Sequence, residues 1–248
     1  MSNFQTILSG IVNASKSNAE YNSHSFTDPK LVEYAKKLYQ LEKASFNHIN
    51  IYKAIDHQLN AITQISERSF HYTEHNKPVI RALMYYFTDN PAFIEFTGNN
   101  RKVFKKNASL KKGLLLIGGY GIGKSTIINA FQNVKFPGKK FRSKTCPSLA
   151  ENWDYSDKKY FIDNWFFDEF GHESESKYAK KDAIPVMAKI LEQRYSQRQF
   201  HTDSTTGFTI LCTNLSIDEI TIKYGNRLAD RINDMFNVIL VNGESFRK

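Results

Sequence analysis

Cysteine is scarce in this chain, with two in 248 residues. Cys146 and Cys212 have no metal-ligand spacing, which excludes a disulfide framework and suits a reducing compartment. Long apolar runs are missing too, and none approaches the ~20 residues that cross a bilayer. The opening, MSNFQTILSGIVNASKSNAE, has no basic leader followed by a long apolar stretch, so it does not read as a secretory signal. These absences lead us to expect a soluble cytoplasmic protein with no membrane partner. His48, His57, His71 and His75 are scattered without metal spacing. Acid is also short: 25 Asp and Glu stand against 34 Lys and Arg, a net charge of +9. The pI is about 9.3. That excess points to a polyanionic partner, nucleic acid before membrane. Hydrophobic residues make up 41% of the chain, enough for one large domain or two small ones.

What is present is organised around GGYGIGKST, Gly118 to Thr126. Gly118, Gly123, Lys124 and Ser125 fit the phosphate-binding pattern G-x-x-x-x-G-K-[ST]. The apolar run Leu114–Ile117 leads into it as a buried parallel strand. Ile127, Ile128, Ala130 and Phe131 continue as a helix. Glycines here bring backbone N–H groups close to phosphate oxygens, and the helix N-terminus adds partial positive charge. Gly118, Gly119, Gly121, Ile122, Gly123 and Thr126 are therefore expected to wrap the nucleotide. Lys124 is expected to reach the β- and γ-phosphates, and Ser125 to hold Mg²⁺.

Further on, WFFDEFG reads as a buried strand delivering Asp168 and Glu169 to a ligand crevice at its carboxyl end. Asp168 is expected to hold Mg²⁺, and Glu169 to activate the attacking water. FTILCTN is another apolar strand, and Asn214 at its tip is placed to orient that water. Ser216 is positioned to cap the next helix. Arg227 and Arg231 are four apart and share a helix face. Val238 to Val241 is a last strand, and Arg247 follows near the end. Late arginines suit stabilising charge on a transferring phosphoryl group, in cis or from the next subunit.

Upstream, residues 1–26 read as a frayed segment and 27–100 as helical. Thr27-Asp28-Pro29 starts a helix carrying Leu31, Ala35, Leu38 and Leu41. Ile51, Ile55, Leu59 and Ile62 suggest a second, and Asn76-Lys77-Pro78 starts a third with Val79, Leu83 and Phe87 on one face. This region is a candidate partner-binding module or a structural brace. Residues 101–112 form a basic linker, and 113–248 the nucleotide domain. The linker cations, and a second group at Lys139, Lys140, Arg142 and Lys144, suit phosphate-backbone contacts. Trp153 and Tyr155 suit stacking on single-stranded bases, or ordinary packing. Asp182 and Pro185 open a helix with Ile184, Met187, Ala188, Leu191 and Tyr195 on one face. Arg194 and Arg198 are expected as surface cations at its end.

Taken in order, GGYGIGKST, WFFDEFG, FTILCTN, YGNRLADRI and ESFR resemble an AAA+ ATPase over about residues 110–248. More narrowly, they resemble the bacterial and phage helicase-loader group (DnaC-type), with transposition ATPases close by. The resemblance implies an α/β P-loop fold with a mostly parallel five-stranded sheet flanked by helices, preceded here by the helical region. It implies that Asn214 acts as sensor 1 and Arg231 as an arginine finger in trans. Arg227 resembles a neighbouring arginine of the same box, and Arg247 a sensor-2 arginine. ATP and Mg²⁺ as cofactors, assembly into rings or spirals, single-stranded DNA and a replicative helicase follow from the same resemblance. The alternative is a mobile-element ATPase on duplex DNA that recruits a recombinase. A small-molecule kinase or a non-hydrolysing scaffold fits the full set of hydrolytic residues less well.

Overall fold

The computed structural model describes residues 48–104, 108–134, 136–154, 157–173, 185–200 and 207–246. The helix expected from Leu31 to Leu41 therefore lies outside the described residues, as do Lys105, Lys106, Tyr155, Asp182, Ile184 and Arg247. Three helices come first: α1 (His48–Gln64), α2 (Asn76–Phe87) and α3 (Ala92–Asn99). Strands and helices then alternate. They are β1 (Gly113–Ile117), α4 (Lys124–Val134), β2 (Arg142–Thr145), α5 (Cys146–Glu151), α6 (Lys159–Ile162) and β3 (Trp165–Asp168). α7 (Val186–Phe200), β4 (Thr209–Thr213), α8 (Ile217–Tyr224), α9 (Asn226–Met235) and β5 (Phe236–Leu240) complete the series.

The five strands form one sheet in the order β2-β3-β4-β1-β5. Every pairing between them is parallel. The fold is thus the α/β architecture expected, a parallel five-stranded sheet flanked by helices. β1 lies inside the sheet between β4 and β5, and all five of its residues are buried. Helices cover both faces of such a strand, so it reads as an unbroken apolar run. Its side chains still alternate. Leu114 and Leu116 enter the core beneath α1, α2 and α4, while Leu115 and Ile117 enter the one beneath α5, α7, α8 and α9.

The upstream helices share the first of these cores. Ile51, Ile55 and Leu59 of α1 and Val79, Leu83 and Phe87 of α2 are all buried with the sheet residues, on the faces the sequence spacing predicts. Phe87 anchors an aromatic cluster, with ring centroids 5.1 Å from Phe131 and 5.4 Å from Phe136. Ser216 caps α8 as expected. Its hydroxyl accepts from the Glu219 N–H, and the Glu219 carboxylate accepts from the Ser216 N–H in return.

Two cations expected on the surface are not there. Arg194 in α7 is 1% exposed. Its guanidinium donates to the carbonyl oxygens of Tyr160, Gly207 and Asp163 and to the Thr209 hydroxyl. Burial lowers its pKa to about 10, so it remains charged at neutral pH. Lys139 is also buried. It pairs with Asp89 at 2.9 Å and lies over the Tyr86 ring. A helix end or a basic run looks solvated in the sequence because the carbonyls and rings that close over these cations lie on other elements. Trp153 packs beside Tyr160 and Phe161, which is the ordinary-packing reading of that side chain.

Candidate nucleotide-binding cleft

Parallel pairing brings the carboxyl ends of β1, β3 and β4 to one edge of the sheet. The glycine loop leaves β1 there, Asp168 ends β3, and Asn214 follows β4. A cleft of about 710 Å³ opens over these tips, within the range of a small-molecule site. Of the predicted site residues, Gly121, Gly123, Lys124, Ser125, Thr126, Asp168, Glu169 and Asn214 line it. Arg227 and Arg231 do not.

Local packing fixes the loop at its root. A methyl group on Gly118 would lie 2.1 Å from the Val241 carbonyl oxygen, so only glycine lets the chain pass here. The Gly118 N–H donates to the Thr213 carbonyl, tying the loop to the neighbouring strand tip. Lys124 opens α4 and its Nζ donates to the carbonyls of Gly118 and Gly119 at 2.6 and 2.7 Å. The ammonium is thereby held over the loop, where a triphosphate would meet it. The Phe246 N–H donates to Gly121 O at 3.0 Å, laying the final described turn of chain across the loop.

The acid pair sits on an unusual backbone. Glu169 has φ of 56°, a left-handed conformation uncommon for a residue with a side chain. Its own N–H donates to Asp168 Oδ1 at 2.9 Å. Next, the Phe170 N–H donates to Cys212 O at 2.8 Å, and Thr213 Oγ1 donates to Phe170 O at 2.6 Å. These bonds sew the tips of β3 and β4 together. Gly171 has φ of 93°, and Leu215 packs directly against it. Glu173 then folds inward: it is 6% exposed, accepts from the Gly171 N–H, and accepts from the Tyr224 hydroxyl. Burial, then the Glu173 charge, drives the Tyr224 pKa well above its usual range, so the phenol stays a donor. Cys212 reaches the cleft, yet complete burial raises its pKa too, leaving no thiolate for chemistry.

Several lining residues carry no motif. Arg68, Phe70 and His71 come from the loop after α1, well upstream of the glycine loop. Tyr120 of the glycine loop and His172 also line the cleft, as does Phe246, whose ring centroid lies 6.4 Å from that of Phe70. The sequence offered only weak signals for them: a histidine classed as scattered, and a polar stretch after the acid pair.

Arg231 and Arg227 project from α9 toward α7. Arg231 Nη1 donates to Glu192 Oε1 at 3.1 Å, and its guanidinium lies 4.8 Å from the Tyr195 ring centre. Arg227 Nε is 3.8 Å from the same carboxylate oxygen.

The residues present fit a nucleoside triphosphate with Mg²⁺. A glycine loop, a helix N-terminus and Lys124 offer donors to phosphate, and the Ser125 hydroxyl and Asp168 carboxylate offer hard oxygen ligands. Among the described residues, no cluster of three or more His, Cys, Asp or Glu offers a separate metal site. No helix among them is long and apolar enough to cross a membrane.

No protein-family model matches the chain. No curated protein matches it at a significant level. Several solved structures do share similarity of fold. A candidate primosome component from Streptococcus pyogenes serotype M3 is 16% identical, over 71% of this chain and 84% of its own, with a TM-score of 0.45. AMPPCP-bound DnaA from Aquifex aeolicus is 13% identical, over 71% of this chain and 49% of that one, with a TM-score of 0.42. Domain III of the Thermotoga maritima replication initiation protein DnaA is 13% identical, over 70% and 65%, with a TM-score of 0.44. This chain spans about half the length of the Aquifex protein. Likeness of this size carries no argument about activity, which rests on the cleft itself.

Proposed function

We propose that this protein is a Mg²⁺-dependent ATPase of the AAA+ class that acts in DNA replication as a helicase loader on single-stranded DNA. The observation that carries the ATPase part is the convergence of Lys124, Ser125, Asp168, Glu169 and Asn214 on one cleft at the carboxyl ends of adjacent strands. Lys124 exchanges its two loop carbonyls for phosphate oxygens. Ser125 and Asp168 would hold Mg²⁺, which when bound would neutralise phosphate charge. Glu169 orients and deprotonates the attacking water. Asn214 donates to the γ-phosphate and so distinguishes ATP from ADP.

Arg231 lies outside its own cleft and faces Glu192, which suits action on a neighbouring subunit's nucleotide. ATP then orders an assembly of subunits, and hydrolysis dissolves it. The replication reading is supported by the order of motifs and by a net charge of +9, which favours a polyanionic strand.

The test is ATP turnover by wild type and Arg231→Ala across protein concentration, with no DNA, single-stranded DNA and duplex DNA. Turnover that rises with concentration, needs Arg231 and responds to single strands supports the loader reading. Stronger activation by duplex overturns the single-strand part. Turnover indifferent to concentration, Arg231 and DNA overturns the AAA+ reading.

A further inference from the structure

His172 stands three residues past Glu169 of the acid pair, in the polar stretch after β3, and its imidazole Nε2 meets the Asn214 Oδ1. An amide oxygen only accepts, so the contact as placed requires the Nε2–H tautomer of His172. The partner matters for what Asn214 can do. A terminal phosphate oxygen also only accepts, so Asn214 serves it through its Nδ2 hydrogens. A carboxamide can flip, and a flip presents Oδ1 to the phosphate and sets two acceptors against each other. A donor fixed on Oδ1 removes that choice and leaves both Nδ2 hydrogens for the ligand.

The geometry points to His172 as a positioning residue that fixes the rotameric sense of Asn214, a role that rests on the ATPase reading of the cleft. His172 is itself held in place. Its N–H donates to Glu169 O at 3.0 Å, which closes a turn on the catalytic acid pair. On one side, Lys223 Nζ donates to Gly171 O at 2.6 Å. On the other, the buried Glu173 anchors the chain through Gly171 N–H and the Tyr224 hydroxyl. The turn is pinned at both flanks, so the backbone of His172 is placed by the fold. The Tyr120 ring, at the tip of the glycine loop, lies 6.2 Å from the imidazole and bounds it on the phosphate-loop side. The device therefore joins three elements of the cleft: loop, acid strand and Asn214 strand.

Side-chain geometry supplies a discriminating test. The Nε2 of glutamine occupies nearly the same position along the side chain as the imidazole Nε2, and it donates. Asparagine places its nitrogen where Nδ1 stood and falls short of Asn214. ATP turnover is measured for wild type, Lys124→Ala, His172→Gln, His172→Asn, Asn214→Ala and the His172→Asn/Asn214→Ala double variant. We expect His172→Asn to lower kcat about tenfold or more, with KM for ATP changing far less. His172→Gln recovers most of that loss, and the double variant is no slower than Asn214→Ala. If Gln and Asn behave alike, or the two losses multiply in the double variant, the positioning role is overturned. The Lys124→Ala control separates the two levels. Wild type no faster than Lys124→Ala removes the ATPase reading, whereas an active wild type matched by His172→Asn removes only the role of His172.

Discussion

Lys139 Nζ lies 3.8 Å from the centre of the Tyr86 ring, which puts the first cation of a basic run against α2 and not toward solvent. The ammonium also pairs with Asp89 at 2.9 Å. Its neighbour Lys140 is exposed. The two lysines, adjacent in sequence, therefore belong to different levels of the molecule. Lys139→Met is expected to lower unfolding free energy by about 1–3 kcal/mol, read from urea denaturation. Lys140→Ala is expected to leave stability within about 0.5 kcal/mol. If Lys140 meets a phosphate of single-stranded DNA, its loss is expected to change the slope of log affinity against log salt by about 0.7. A salt slope that moves for Lys139 and not for Lys140 reverses the assignment.

Arg194 yields the largest expected change in stability. Its guanidinium reaches Tyr160 O at 2.8 Å and both Gly207 O and Thr209 Oγ1 at 3.0 Å. Those partners join α6 to the start of β4. Arg194→Met leaves several buried carbonyls without a donor, at an expected loss of about 3–5 kcal/mol. Arg194→Lys recovers only part, because one ammonium cannot span the fan of acceptors. Denaturant midpoints of the three proteins check the order wild type, Lys, Met.

Those two cations also show where sequence reading stops. The glycine loop, β1 and the acid strand were legible because each is specified within a few residues: an apolar run, then a motif. α2 was legible from Asn76-Lys77-Pro78 and its buried face, and α8 from Ser216. Arg194 and Lys139 were not, because their partners lie on other elements. The start of β5 was placed late for the same reason. Asn237 looks like a polar break, yet its side chain accepts from the Ser109 N–H at 2.7 Å and donates to Gly113 O at 3.0 Å, which makes it a buried strand residue. The upstream wall of the cleft, Arg68 to His71, has no local pattern tying it to a loop near residue 120. Only the packing of α1 against the sheet core brings it there.

Gly118 and Gly119 are adjacent in the motif, and only Gly118 is expected to respond to replacement by alanine. A methyl group on Gly118 meets the backbone oxygen of Val241, while one on Gly119 meets nothing within 4 Å. Backbone cannot step aside as a side-chain end can. Gly118→Ala is expected to cost about 1–3 kcal/mol and to weaken ATP binding as the loop root shifts. Gly119→Ala is expected to melt with the wild type. Thermal unfolding with and without Mg-ATP reads both effects at once, since ligand at a hundred times its Kd adds about 2.7 kcal/mol.

Arg231 is the residue whose behaviour separates a lone P-loop protein from an assembling one. In the single chain it is 16% exposed at its side chain and bonded to Glu192. To stabilise charge on a neighbour's nucleotide it must leave that carboxylate, so Glu192 competes with the phosphate for it. Two opposite expectations follow from one ion pair. Arg231→Ala leaves ATP binding by the single chain intact and lowers turnover by about 10³-fold, the low end for a lost arginine finger. Glu192→Gln keeps the hydrogen-bond acceptor but removes the charge, so Arg231 is released more easily. Its turnover should then reach half-maximum at a lower protein concentration than the wild type. Titrating enzyme concentration for the three proteins at saturating ATP checks this. Should Glu192→Gln instead shift the curve to higher concentration, the pair is a stabilising contact of the assembled state and not a latch on Arg231.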